Sequence, residues 1–220
     1  DAYNYIYELD VFASEEKQEI NYNIAERIIK SILWVVGGYK IYICGDDYVY
    51  NRIAEDYTLT GSRAFDVDFM QTVYEQPFEV IKSTEEDFPK ANYVEVKIGG
   101  HLDGCRIGFD AGGSDRKVSA VVDGKVVYSE EVVWFPKTNS DYHYHYEGIM
   151  AAMKTAASKM PRVDAIGVSS AGVYVDNKIM VASLFIKVDK QKHGDYVKNM
   201  YINIAKEMGD IPLEVANDGD

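Results

Sequence analysis

Positive charge is what this chain lacks most. Its 23 Lys and Arg face 36 Asp and Glu, a formal net charge of −13 over 220 residues. Phosphate backbones and anionic lipid surfaces are held by clustered cations, so the balance speaks against nucleic-acid and membrane partners. Cysteine is nearly absent. Cys44 and Cys105 are far apart in sequence and have no metal-ligand spacing, so both are expected reduced and buried, as in a cytoplasmic protein. No apolar run reaches the length of a membrane span, and no signal peptide is visible. Histidine is sparse as well. His101 and His193 are isolated and take no role. His143 and His145 alternate in DYHYHYEG, which would put them on one side of an extended segment. No carboxylate or cysteine stands at ligand spacing, so a solvated loop or the start of a helix is expected there.

What is present suits a globular core: 47% of residues are hydrophobic. The eighteen tyrosines are dispersed, and Trp34 and Trp134 lie in apolar runs that predict core packing. The chain divides near Gly99-Gly100. Before it, Ser14 to about Val36 reads as a helix, capped by Ser14 with Glu15, Glu16 and Gln18 in its first turn. Ile20, Ile24, Ile28, Ile29, Ile32 and Leu33 recur at helical spacing, and Gly37-Gly38 stops it. A strand over 39–44, a helix from an Asp46 cap to Tyr57, a helix over 65–76 and a strand over 77–83 follow. After the division the rhythm is cleaner. Three strands are expected at 105–110, 117–123 and 125–135, with Asp123-Gly124 as a hairpin turn. Next come a helix from Tyr146 to Lys159, a buried strand at 164–170 and a strand pair at 172–183 turning at Asp176-Asn177. A helix from Asp195 to Met208 and a last strand at 211–218 complete the chain. Three antiparallel strands and then alternating helix and strand predict an α/β sheet with helices on its faces.

One stretch carries chemistry. In CRIGFDAGGSDRK an apolar run ends on Asp110, and Gly112 and Gly113 follow in the turn. Without Cβ atoms that turn is free to take positive φ and to offer backbone N–H groups to an anion. Ser114 adds a hydroxyl, and Lys117 or Arg116 adds positive charge. Asp110 repels a phosphate unless a Mg²⁺ with its waters lies between them. Taken alone, the glycines read first as plain turn residues. A second strand-end carboxylate, Asp218 in PLEVANDGD, is placed to take a proton from a hydroxyl as it attacks a γ-phosphoryl group, with Asn217 beside it for polyol hydroxyls. Ser169 and Ser170 either line the cleft or close their strand.

Residues from about 104 to 220 resemble the N-terminal domain of ROK-family sugar kinases, in the actin/hexokinase/Hsp70 fold group. Asp110, Gly112, Gly113 and Ser114 match that family's Asp-x-Gly-Gly-Thr. SAVVDGKVVYSEEV matches its hairpin, FPKTN (135–139) echoes its Thr/Pro stretch, IGVSSAGVYVD (166–176) matches its IGIGVPGPVD, and residues 212–220 match its PVxVxNDAN. The departures are Ser114 for threonine, an added Asp115, Ala171-Gly172 where Pro-Gly is usual, and Asp220 for asparagine.

The resemblance implies an actin-like/ribonuclease H-like α/β domain over 101–220, preceded by a small α/β extension over 1–100. It further implies an ATP- and Mg²⁺-dependent carbohydrate kinase with a small sugar as partner. Asp218 would be the general base and Asp110 the metal ligand. Gly112, Gly113, Ser114 and Lys117 would face the ATP phosphates, and Asn217, Gly172 and Ser170 the sugar. Such kinases close two actin-like domains over their substrates, so this chain reads as the N-terminal part and is expected to show little turnover by itself. A non-catalytic sugar sensor or assembly protein of the same fold, and an ATPase of the same fold group, are the alternatives. A homo-oligomer is left open.

Overall fold

The computed structural model describes residues 3–92 and 100–219. The chain divides into two compact units, Asp1–Ile98 and Gly99–Asp220. The expected division at Gly99 and the departure at Asp220 lie outside the described residues.

The first unit packs three helices with a two-stranded parallel sheet. Helix α1 (Gln18–Val36) follows a 3-10 turn at Glu15–Lys17 and ends at Gly37, whose φ of 81° suits glycine. Strand β1 (Lys40–Ile43), α2 (Asp47–Asp56), α3 (Ala64–Tyr74) and β2 (Glu79–Lys82) follow, with β1 and β2 paired in parallel. Asp46 caps α2, its carboxylate accepting from the Tyr48 and Val49 N–H groups.

Four expectations for this unit need correction. Ser14 makes no side-chain cap bond. The α1 stripe is rotated: Tyr22, Ala25 and Leu33 face the core, while Ile20 and Ile24 are exposed. Polar side chains with inward partners set that face. Buried Asn21 exchanges two hydrogen bonds with the Phe12 backbone, at 2.8 and 2.9 Å, and Glu26 pairs with Arg63. Trp34 is half-exposed: its indole N–H reaches inward to the buried Asp66 Oδ1 at 2.6 Å, while its ring stacks on the exposed Phe65. Cys44 is exposed in the turn after β1, whereas Cys105 is buried as expected.

The second unit is built on a five-stranded sheet. Strands β3 (Cys105–Ala111), β4 (Asp115–Val122) and β5 (Lys125–Val133) run antiparallel; β6 (Ala165–Ser170) and β9 (Leu213–Asn217) lie parallel to β3. Across the sheet the order is β5-β4-β3-β6-β9. This mixed sheet, a three-stranded meander continued by parallel strands through helical crossovers, is the actin-like/ribonuclease H-like arrangement. Asp123 and Gly124 both take positive φ, as a two-residue hairpin requires. A small hairpin, β7 (Val173–Val175) and β8 (Lys178–Val181), turns at Asp176-Asn177. Asn177 pins it to the sheet: its side chain donates to the Leu213 carbonyl at 3.1 Å and accepts from the Val215 N–H at 2.8 Å.

Helix α4 (Tyr142–Ala157) and α6 (Met200–Glu207) supply the core on one face of the sheet. Ile149, Met153, Ile204 and Tyr201 are fully buried there against Ile107, Phe109 and Ile166. Each such large side chain contributes about 1.5–3 kcal/mol by leaving water.

The helix starts four residues before the sequence pattern places it, because Asp141 caps it by accepting from the His143 N–H. His143 is exposed, but His145 is fully buried, its ring nitrogens 3.0 Å from the Asp141 and Pro136 carbonyls. The stretch is thus the start of a helix, one of its two expected readings, with His145 in the core and His143 solvated. Between β8 and α6, the short α5 (Lys190–Lys192) runs into a π-helical turn at His193–Val197, so the expected helix from Asp195 is interrupted. Among the described residues no helix is long and apolar enough to cross a membrane.

Candidate functional site

Parallel pairing gathers the C-terminal ends of β3, β6 and β9 at one edge. Asp110 lies opposite Ser169, and Ser169 opposite Ala216; one step on, Ala111, Ser170 and Asn217 line up. Strands are spaced about 4.8 Å apart, so the Asp110 and Ala216 backbones stand roughly 10 Å apart, and Asp218 follows two residues beyond Ala216. Asp110 is half-buried on the face away from α4, and Asp218 is exposed in the turn that follows β9. By contrast, a shallow groove lined by Lys154, Val163, Met208 and Ile211 sits at the opposite end of these strands.

The turn after β3 is held from below. The Trp134 indole donates to the Gly112 carbonyl at 2.8 Å, and the Trp134 backbone N–H donates to the Ser114 carbonyl at 3.0 Å. Trp134 is buried, as expected.

Neither Gly112 nor Gly113 takes positive φ, which corrects the reason given for them. Gly112 is bare because backbone comes close, while Gly113 is met only by the movable end of a lysine. A Cβ on Gly112 would lie 2.6 Å from the Asp115 carbonyl oxygen, and one on Gly113 would lie 2.8 Å from both Cε and Nζ of Lys137.

Charge around the turn is arranged differently from its order in sequence. Lys117 pairs with Asp115 at 2.8 Å and stands 3.9 Å from Asp110. The Lys117 ammonium holds the Asp115 carboxyl below the usual carboxylate range, and Asp115 in turn raises Lys117. The added acid at 115 is therefore neutralised locally. Ser114 spends its hydroxyl on Asp115, at 3.2 Å. Arg116 alternates to the other face of β4 and lies over the Trp134 ring at 5.7 Å, away from Asp110. Lys137, in the 3-10 turn Pro136–Thr138, is the cation that lies against Gly113. Its FPKTN stretch was visible in sequence, but nothing there tied it to Gly113.

The sugar-binding candidates fall into two groups. Asn217 and Gly172 are bonded directly: the Asn217 amide donates to the Gly172 carbonyl at 2.6 Å, and its Oδ1 accepts from the Gly219 N–H at 2.7 Å. A side chain at 172 would meet the Val181 carbonyl at 2.7 Å, so the close approach requires glycine. Ser170 is fully buried and donates to the Ala111 carbonyl at 3.2 Å. Of its two readings, closing the strand is the one this geometry fits. Ser169, half-buried, shares the open face with Asp110.

Beneath this edge lie two phenols that sequence gave no reason to single out. Tyr174 and Tyr201 both approach Ser170, Tyr174 within electrostatic reach of Asp218 and Tyr201 of Asp110. Burial raises both phenols above their ordinary range. Ser170 is near enough to influence both, yet neither hydroxyl has a hydrogen-bond partner of normal geometry among the described residues.

Among the described residues no cluster of three His, Cys, Asp or Glu could cage a metal. The candidate ligand set is a single carboxylate, Asp110, whose side chain is 47% exposed.

No protein-family model and no curated protein matches the sequence. Solved structures do. A ROK hexokinase from Thermus thermophilus is 16% identical over 52% of this chain and 34% of its own, with a TM-score of 0.36. For a glucokinase from Parabacteroides distasonis the values are 19%, 54%, 32% and 0.42. For an inorganic polyphosphate/ATP-glucomannokinase from an Arthrobacter strain they are 22%, 54%, 46% and 0.40. The chain thus spans about a third to a half of these proteins. At these identities the likeness concerns fold alone.

Proposed function

We propose that the second unit is one wall of a phosphotransfer cleft, and that the protein carrying it is an ATP- and Mg²⁺-dependent carbohydrate kinase of ROK type. The chief support is one observation: Asp110, beside a bare turn, and Asp218, two strands away, come to the same sheet edge. In this reading a sugar hydroxyl oxygen attacks the γ-phosphorus of ATP, the bond to ADP breaks, and the hydroxyl proton passes to Asp218. Gly112, Gly113 and Ser114 offer backbone N–H groups to the phosphates. Lys117 keeps Asp115 from repelling them. Gly172 and Asn217 shape the sugar side, with Ser170 bracing the strand ends behind them. Mg²⁺, when bound, neutralises phosphate charge. Asp110 fits it, because one accessible carboxylate with retained waters is a normal magnesium environment.

Sugar-dependent ATP consumption by the full-length protein tests the reading. Asp218→Asn is expected to lower kcat by about 10²–10⁴-fold, the usual worth of a general base, while sugar binding persists. ATP consumption indifferent to sugar would identify an ATPase instead. Sugar binding with no turnover in the unmutated protein would identify a sensor.

A further inference from the structure

We propose that Lys137 is the cation of this site, closing over the Gly112–Gly113 turn to hold the non-bridging oxygens of a bound polyphosphate. The assignment rests on the phosphotransfer reading for its ligand, but its evidence is separate. A turn that supplies only backbone N–H groups gathers partial charges. A polyphosphate entering a chain of net charge −13 needs a whole one.

The two basic residues adjacent to the turn in sequence are already engaged. Lys117 is held by Asp115 and Asp110, and Arg116 lies over Trp134 on the other face. Lys137 differs from both. It is exposed, and among the described residues it forms no ion pair. Its Cε and Nζ rest against the turn itself, each 2.8 Å from where a Gly113 Cβ would be. With no Cβ at 113, the ammonium lies directly against the turn backbone.

The lysine is also carried on a fixed base. Trp134, three residues earlier, is tied to the turn by two hydrogen bonds, to the Gly112 and Ser114 carbonyls. The Phe135 N–H donates to the Tyr144 hydroxyl at 2.9 Å, and the Pro136 carbonyl meets the buried His145 ring at 3.0 Å. Backbone on both sides of the gap is therefore held in place, and only the flexible lysine stem must order when an anion arrives. That is the arrangement expected of an anion clamp: a rigid donor cradle and one mobile charge that swings onto it.

The test is calorimetric binding of inorganic tripolyphosphate, with and without Mg²⁺, to the full-length protein at low and moderate salt. Lys137→Ala is expected to weaken binding at least tenfold and to flatten its salt dependence. Lys137→Arg keeps most of the affinity, and Lys125→Ala, at the far end of the β4–β5 hairpin, leaves it unchanged. Gly113→Ala, which only nudges the flexible end of Lys137, weakens it less than Lys137→Ala does. Lys137→Ala binding tripolyphosphate as the unmutated protein does would overturn the assignment, as would an unmutated protein that binds none. Lys137-dependent binding in a protein that phosphorylates no sugar would overturn the kinase reading and leave Lys137 standing. Sugar phosphorylation together with undiminished binding by Lys137→Ala would do the reverse.

Discussion

The Asn217 side-chain amide donates to the Gly172 carbonyl across 2.6 Å, joining the end of the last sheet strand to the loop before β7. Two residues far apart in sequence thereby act as one structural unit. Its second bond, from the Gly219 N–H, draws the backbone on either side of Asp218 into a turn.

Loss of that amide is expected to show twice. Asn217→Ala removes both bonds and should cost about 1–2 kcal/mol, since the Gly172 carbonyl is left without its donor. Urea unfolding measures the loss. Hydrogen exchange should quicken at Gly219, whose N–H bonds to the Asn217 oxygen. An Asn217→Ala protein with unchanged exchange there would refute the coupling.

Tyr201 gives an expectation of opposite sign. Its hydroxyl is buried without a partner among the described residues, and desolvation raises it further from ionisation. Removing an unpaired buried hydroxyl relieves a desolvation penalty, so Tyr201→Phe should be neutral or stabilising by about 1 kcal/mol. A loss of comparable size would mean that the Tyr201 hydroxyl is satisfied after all, with Ser170 the nearest candidate partner.

Acid sensitivity follows from two carboxylates of the second unit. Arg162 and the Cys105 N–H hold Asp164 below its ordinary value, and the His143 backbone N–H does the same for Asp141 at the start of α4. A carboxyl lowered on folding stabilises the fold fully above its unfolded value, near pH 4. That contribution disappears as pH falls through the lower folded value. Thermal stability of the protein should therefore decline below about pH 4, modestly because both groups are solvent-screened, and Asp164→Asn should show a shallower decline. Equal acid slopes in the two proteins would contradict the assignment.

Much of the second unit was legible locally. Alternation in CRIGFDA and KVSAVV is a two-residue period, and Asp123-Gly124 can hardly be anything but a hairpin turn, so β3, β4 and β5 follow from near neighbours. At DYHYHY the sequence left a solvated loop and a helix start open. The Asp141 cap, a buried His145 and packing against Phe185 make it helix. In α1, periodicity picked Ile20 and Ile24, but Asn21 and Glu26 had partners in Phe12 and Arg63 that turned their face inward. Apolar spacing cannot register a hydrogen bond made to a residue 37 positions away.

The chemistry divides along the same line. Sequence by itself determined which residues end strands, and so it determined that Asp110 and Asp218 each stand at the end of a β segment, one before two glycines. Only the tertiary structure decided that those ends share an edge, because parallel pairing of β3, β6 and β9 joins segments separated by whole helices. It also decided which charge is available. Lys117 is nearest in sequence but is bound to Asp115, while Lys137 reaches the glycine turn from the far side of a hairpin. Side-chain charge acts through space and is cancelled by whatever lies within a few ångströms, and order along the chain does not report that distance.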